Sequence, residues 1–234
     1  QDDKNPETYI FTMFQGGTGL PDRDMYLVDN EKFEAIRTAY KGYLVKMLDL
    51  MGEKNSQARA DAIYAMEKKI AEVHWTREDS SDATKTYNKM TLAQLDASTP
   101  GLKISSMLGK INPKITEVLV SQPSALTGIA KIYAETDINV LKDQMLVNSL
   151  SSFSDTLPDS VSDTVFAFYG TVLQGTPKRE ERWKRGVAFA TGSVPDEVGK
   201  AYAAKYFPPE TKAAMKVLVQ NVVDAMGRRI DTLE

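Results

Sequence analysis

Apolar residues recur along this chain mostly at the three-and-four spacing of a helix. From Glu31, the residues Phe33, Ile36, Tyr40, Tyr43, Leu44, Met47 and Met51 share one face, and Gly52 follows as a C-cap. Ala62, Ile63, Met66, Ile70 and Val73 mark a second helix, from about Ser56 to Trp75. Both pass the ~12 residues below which an isolated helix is marginal, and both need a partner for their stripe. Helical spacing returns over 124–135 and over 138–153 through Leu141 and Met145. Pro158 interrupts it, having no backbone N–H to give. Phe166, Tyr169 and Leu173 resume the stripe up to Gly175.

The last third reads as more helix. Trp183 and Val187 lie four apart in a charged stretch from Lys178 to Thr191. Ser193, Pro195 and Asp196 look like a cap and first turn leading to Tyr202 and Tyr206, and Pro208-Pro209 stops that helix. Met215, Leu218, Val219, Val222, Met226, Ile230 and Leu233 then form the cleanest stripe in the chain. It breaks off at Glu234 without Gly, Asn or Pro, and this predicts a cut chain.

Strand signals are few. Residues 9–15 are aromatic and β-branched and run into the turn signal Gly16-Gly17-Thr18-Gly19-Leu20-Pro21-Asp22. Pro113 and Pro123 bracket a second candidate over 115–120 within the irregular stretch 102–125. Residues 76–90 read as polar loop, and Thr91-Leu92-Ala93-Gln94 has the spacing of a capping box. The expectation is a mainly α, multi-helix lobe, with at most a few short strands near the N-terminus and around 115–120. Its organisation is expected as a strand-and-turn segment 1–29, a helical lobe 30–210 and a long helix 211–234.

Composition narrows the chemistry. Of 234 residues, 29 are Lys or Arg and 32 Asp or Glu, a net charge of −3 that does not suit a nucleic-acid binder. No run approaches the ~20 apolar residues of a membrane span. One histidine, His74, and no cysteine leave too few ligands for a zinc site or a two-histidine iron site. Thiol chemistry is absent outright.

Each remaining candidate has a plainer structural reading. His74 closes a helix, and no Gly-x-Ser-x-Gly elbow offers it a nucleophile. Gly16 to Gly19 fails the dinucleotide fingerprint, since Asp22 takes the third glycine's place, and no Gly-Lys-Ser/Thr follows to make a P-loop. A tight turn is expected there. Asp22, Asp24 and Asp29 fail the calcium register, which would put Leu27 where Gly is needed, and Asp79 with Asp82 fares no better. Lys178 to Arg185 carries five basic residues and two acidic ones around Trp183, interleaved as on an exposed, ion-paired helix face. The 10 Met are scattered as core filler.

Ordered landmarks then point to a family. The run from Gly17 to Tyr26 resembles the Gly-Leu-Pro-x-Arg-Asp-Tyr-Tyr stretch of the neprilysin-like zinc metallopeptidases, with Thr18 and Met25 departing from the usual residues. Tyr87-Asn88-Lys89-Met90-Thr91-Leu92 is similar to that family's Tyr-Asn-Lys-Met-Thr-Leu segment and is the most specific match. Phe166 to Gly175, Arg182-Trp183-Lys184-Arg185, and Gly199 to Tyr202 with Tyr206 to Glu210 follow in family order.

The resemblance implies a two-lobed enzyme whose lobes enclose a chamber for short peptides. It also implies zinc held by His-Glu-x-x-His and a downstream Glu-x-x-x-Asp, a set that cannot be assembled with one histidine. The expected role is therefore that of a non-catalytic helical lobe, walling the chamber and limiting substrate size. No catalytic, cofactor or metal residue is assigned in this chain. Zinc belongs to the intact enzyme, and the partners are its catalytic lobe and short peptides. The resemblance further implies a bacterial protein, of periplasm or cell envelope rather than cytoplasm, with Met215 to Leu233 exposed. Two alternatives stay open: a stand-alone helical interaction module, and an independent hydrolase using His74.

Overall fold

In a computed structural model, which describes residues 1–233, the chain divides into two compact units, Gln1–Pro177 and the residues from Lys178 onward. The first is built on two long helices after a short α1 (Asp24–Leu27). These are α2 (Glu31–Leu50) and α3 (Ser56–Val73), which pack against each other. Asn30 caps α2 by accepting from the Phe33 amide, and Gly52 ends it at φ +74°. The expected stripe is the buried face: Ile36, Tyr40, Tyr43, Leu44 and Met47 on α2 meet Ala60 and Ile63 of α3 in one core.

Three strands make a small sheet in the order β1-β3-β2. These are β1 (Phe11–Met13), β2 (Asn88–Thr91) and β3 (Glu117–Val120). β1 runs parallel to β3 with Phe11 opposite Val118, and β2 runs antiparallel with Met90 opposite Val118. The stretch 76–90 is therefore not loop throughout. It folds as α4 (Arg77–Ser81), α5 (Ala83–Thr86) and the start of β2. Each of these pieces is too short to show a period, and β2 is held by its pairing to β3.

Thr91 and Gln94 form the expected capping box at the head of α6 (Leu92–Ser98). The supposedly irregular stretch contains α7 (Ile104–Ile111), where Ile104 and Leu108 meet Leu95, Val118 and Val120 in a second core. Ile104 and Leu108 are four apart, a helical step hidden between Gly101 and Pro113.

Next come α8 (Pro123–Glu135) and α9 (Ile138–Ser152). A short 3₁₀ turn over Ser154–Thr156 leads into α10 (Asp159–Val165), with Pro158 at its N-cap. The backbone continues without a break into a π-helix, Phe166–Leu173. That widened turn carries Phe168 and Tyr169 into a ring cluster with Tyr40 and Tyr43, at centroid distances of 5.0–6.0 Å.

The second unit consists of α11 (Arg182–Ser193), α12 (Pro195–Tyr206) and α13 (Pro209–Ile230). Its α11 and α12 pack on each other. Ser193 is the last residue of α11 rather than a cap. Val194 takes the N-cap place before Pro195 and offers no side-chain acceptor. No residue of these three helices is buried, and Leu218, Val222, Met226 and Ile230 of α13 stand exposed. Among the described residues no helix is long and apolar enough to cross a membrane.

Candidate functional site

The glycine-rich segment between β1 and α1 is held from the inside by a buried polar cluster. At its centre is Glu67, on α3 one turn past Ile63 and three residues before Ile70, with no accessible surface. Tyr26 and Tyr40 each donate a hydroxyl to its Oε2 at 2.8 Å, and Gln144 donates its amide to Oε1 at 2.9 Å. Burial raises the Glu67 carboxyl above the usual carboxylate range, and these donors oppose the shift.

The same residues seize the loop. Gln144 also donates to the Gly17 carbonyl at 2.9 Å, and the Leu20 amide donates to the Tyr26 hydroxyl at 2.9 Å. Tyr169, from the π-helix, donates to the Gly19 carbonyl at 3.0 Å. The glycines answer to space and φ. Gly17 sits at φ +96°, and a Cβ at Gly19 would collide with the Tyr40 hydroxyl. Among the described residues no hydrogen-bonded turn closes over Gly16 to Gly19; the chain bends at Gly19 to Pro21, and side chains packed around the loop set its course.

A second set of bonds ties the loop's entry to the end of α3. Gln15 donates to the Trp75 carbonyl at 3.1 Å and accepts from the Trp75 amide at 2.7 Å, while its own backbone amide donates to Gln122 at 3.0 Å. Trp75 Nε1 donates to Ser124 at 2.6 Å. His74 Nε2 lies 3.0 Å from the Gly16 carbonyl. A carbonyl can only accept, so the ring proton sits on Nε2. Burial lowers the His74 pKa, and the bond to Gly16 opposes that shift. Over the outer side of this loop lies a cavity of about 330 Å³, lined by residues that include Thr18, Asp22, Arg23, His74, Trp75 and Arg77.

The comparisons with known proteins decide the family. The model of peptidase family M13 matches residues 1–234. The chain belongs to peptidase family M13.

Human endothelin-converting enzyme-like 1 is 24% identical over 239 residues, covering 100% of this chain and 31% of its own length. Human neprilysin is 26% identical over 258 residues, covering 99% and 34%. The zinc metalloprotease ZMP1 of Mycobacterium tuberculosis, solved in complex with an inhibitor, superposes with a TM-score of 0.83 at 30% identity. That match covers 97% of this chain and 35% of the ZMP1 chain. PEPO from Lactobacillus rhamnosis, at 19% identity and TM-score 0.79, shares the fold. The chain thus spans about a third of the length of these relatives.

Zinc is the metal this membership implies, and the donor set here does not fit it. Among the described residues no three His, Cys, Asp or Glu side chains converge where a metal could sit. His74 donates its Nε2–H to the Gly16 carbonyl, and among the described residues no hydroxyl or carboxylate is hydrogen-bonded to its ring. The acidic candidates are each taken by other partners. Asp22 pairs with Arg77 at 2.7 Å, Asp24 with Arg23 at 3.5 Å and Asp29 with Arg37 at 3.2 Å. Asp79 pairs with Lys85 at 2.6 Å, and Asp82 caps α5 by accepting from the Thr84 amide.

The charged run behaves as its interleaved signs suggest. Lys184 lies 3.6 Å from Glu180, and Trp183 Nε1 donates to Glu181 at 2.7 Å. Helix α11 begins only at Arg182, so half of the run precedes the helix.

Composition and motif search missed Glu67, Gln144 and Gln15, the residues that organise the loop. Glu67 had a readable signal: a carboxylate at helical spacing inside an apolar stripe must find buried partners. Gln144 and Gln15 had none, since their partners lie 77 and 60 residues away in sequence.

Proposed function

We propose that this chain is the non-catalytic, largely helical part of a zinc metallopeptidase, walling the chamber in which short peptides are cleaved and limiting the size of substrate admitted. The single observation that carries this reading is the match to peptidase family M13 along the whole chain, joined to a fold that superposes on a zinc metalloprotease. Membership points to peptide hydrolysis, while the donor set within these residues supplies no place for a zinc ion that would activate water.

A size filter needs a wall that does not yield. The Glu67 cluster supports that role. A buried carboxylate is seldom the most stabilising choice for a core, and here it fixes one loop and four elements in one arrangement. The test uses the full-length enzyme and a series of peptides of increasing length sharing one cleavable bond. A steep fall in kcat/KM beyond a limiting length, with folded proteins left uncut, is expected. Equal cleavage of short peptides and an unfolded protein carrying the same bond would refute the filter.

A further inference from the structure

Three side chains lining the cavity over the Gly16–Asp22 loop carry donors that are not all spent on the protein. Arg23 spends Nε on the Ala71 carbonyl at 3.3 Å and Nη1 on Asp24 at 3.5 Å. Its Nη2 meets no protein acceptor among the described residues. Arg77, at the rim with its side chain 85% exposed, gives one terminal nitrogen to Asp22 and holds the rest of its fork in solvent at the mouth of the cavity. The Ser80 hydroxyl is buried there with no hydrogen-bond partner.

Among the residues lining the cavity the one carboxylate is that of Asp22, and it is already engaged by Arg77 and by the Asp24 amide at 3.0 Å. His74 spends its Nε2 on the Gly16 carbonyl, and Trp75 presents a ring fixed by its bond to Ser124. The floor is rigid, because Gly16, Gly17, Gly19 and Leu20 are each tied to a side chain beneath. A largely buried guanidinium, a buried hydroxyl and a second guanidinium at the rim suit a planar anion that the two forks can share.

We propose that this cavity is a carboxylate-binding subsite for a short peptide, with Arg23 and Arg77 gripping the anion, Ser80 donating to it and Trp75 packing against the attached residue. A volume of about 330 Å³ admits one or two residues rather than a folded surface. The choice of a peptide as the carrier rests on the function proposed above, whereas the choice of a carboxylate rests on the lining alone. An acidic side chain and a free C-terminus carry the same chemistry, and the probes separate them.

The chain itself, labelled with ¹⁵N, is titrated with three probes: acetyl-Ala-Asp-amide, acetyl-Ala-Ala with a free C-terminus, and neutral acetyl-Ala-Asn-amide. At least one acidic probe is expected to move the Gly16, Gly17 and Gly19 amides and the Trp75 indole N–H saturably. It should bind about tenfold more tightly than the neutral probe, a ratio typical of losing one charge-assisted contact. The probe that binds names the source of the carboxylate. Arg77→Met and Ser80→Ala should each weaken binding several-fold with the thermal midpoint unchanged, and Arg77→Lys, which keeps charge but not the fork, should fall between.

Three probes titrating alike, acidic probes that leave these resonances still, or an Arg77→Met protein that binds like the parent would each overturn the proposal. The comparison of probes on the unsubstituted chain needs no variant to fold. Because the readout is binding rather than cleavage, a negative result leaves the size-filter reading to its own experiment.

Discussion

Glu67 accepts two tyrosine hydroxyls on one oxygen and an amide on the other, so a glutamine there must turn its NH₂ toward a donor whichever way it flips. Glu67→Gln is therefore expected to cost about 1–3 kcal/mol, the range for a buried group left mispaired, measured as a shift in urea midpoint at constant slope. The pH dependence carries a sign. Burial raises this carboxyl, so above the ordinary carboxylate range the folded chain still holds a proton that the unfolded chain has lost. Stability falls as pH rises through that window, and Glu67→Gln should remove that part of the slope.

Asp2 runs the other way. Hydrogen bonds from Lys89, Tyr87 and the Lys4 amide bring its carboxyl from 3.8 down to about 2. Its contribution is complete above the unfolded value and is lost as pH falls toward 2, and Asp2→Asn should flatten that acid limb in a pH series of melts. Gly19→Ala forces a methyl onto the Tyr40 hydroxyl and should destabilise by about 1–3 kcal/mol in the same measurement. At this scale the glycine cluster was legible in the sequence, while Glu67, though set inside an apolar stripe, was not picked out. Nothing in the sequence showed that one explains the other, because the contacts joining them span 41 and 127 residues.

Elements were legible where a period had room to repeat. α2 and α3 follow their stripes within two residues of the expected ends, and the capping box at Thr91 is formed with both of its bonds. Thr91→Ala should cost about 1 kcal/mol, the usual loss for an N-cap, read from the thermal midpoint. β2 and α7 were hidden for a different reason. Each is short, and each is held by a tertiary partner rather than by its own pattern: β2 by β3, and α7 by the core under the sheet. The π-helix gives no sequence signal of its own, since Phe166, Tyr169 and Leu173 fit an α-helical stripe as well. What distinguishes it is Phe168 and Tyr169, adjacent in sequence, both packed inward on Tyr43.

The whole molecule divides by where its apolar residues go. Leu44, wholly enclosed in the first unit, should lose about 2–5 kcal/mol on Leu44→Ala. Val222 on α13 is 59% exposed, and Val222→Asp should leave the unfolding free energy of the chain within about 0.5 kcal/mol of the parent, read from urea midpoints. Family membership was legible because the landmarks are short runs whose order survives low identity, whereas the carboxylate subsite depends on side chains brought together from Arg23 and from Arg77.

If the proposed non-catalytic role is right, the chain holds no zinc of its own, and equilibrium dialysis against zinc followed by metal analysis reads this out. No stoichiometric zinc is expected, and no change when His74 is replaced by Ala; one tightly held zinc per chain, lost in His74→Ala, would overturn that role.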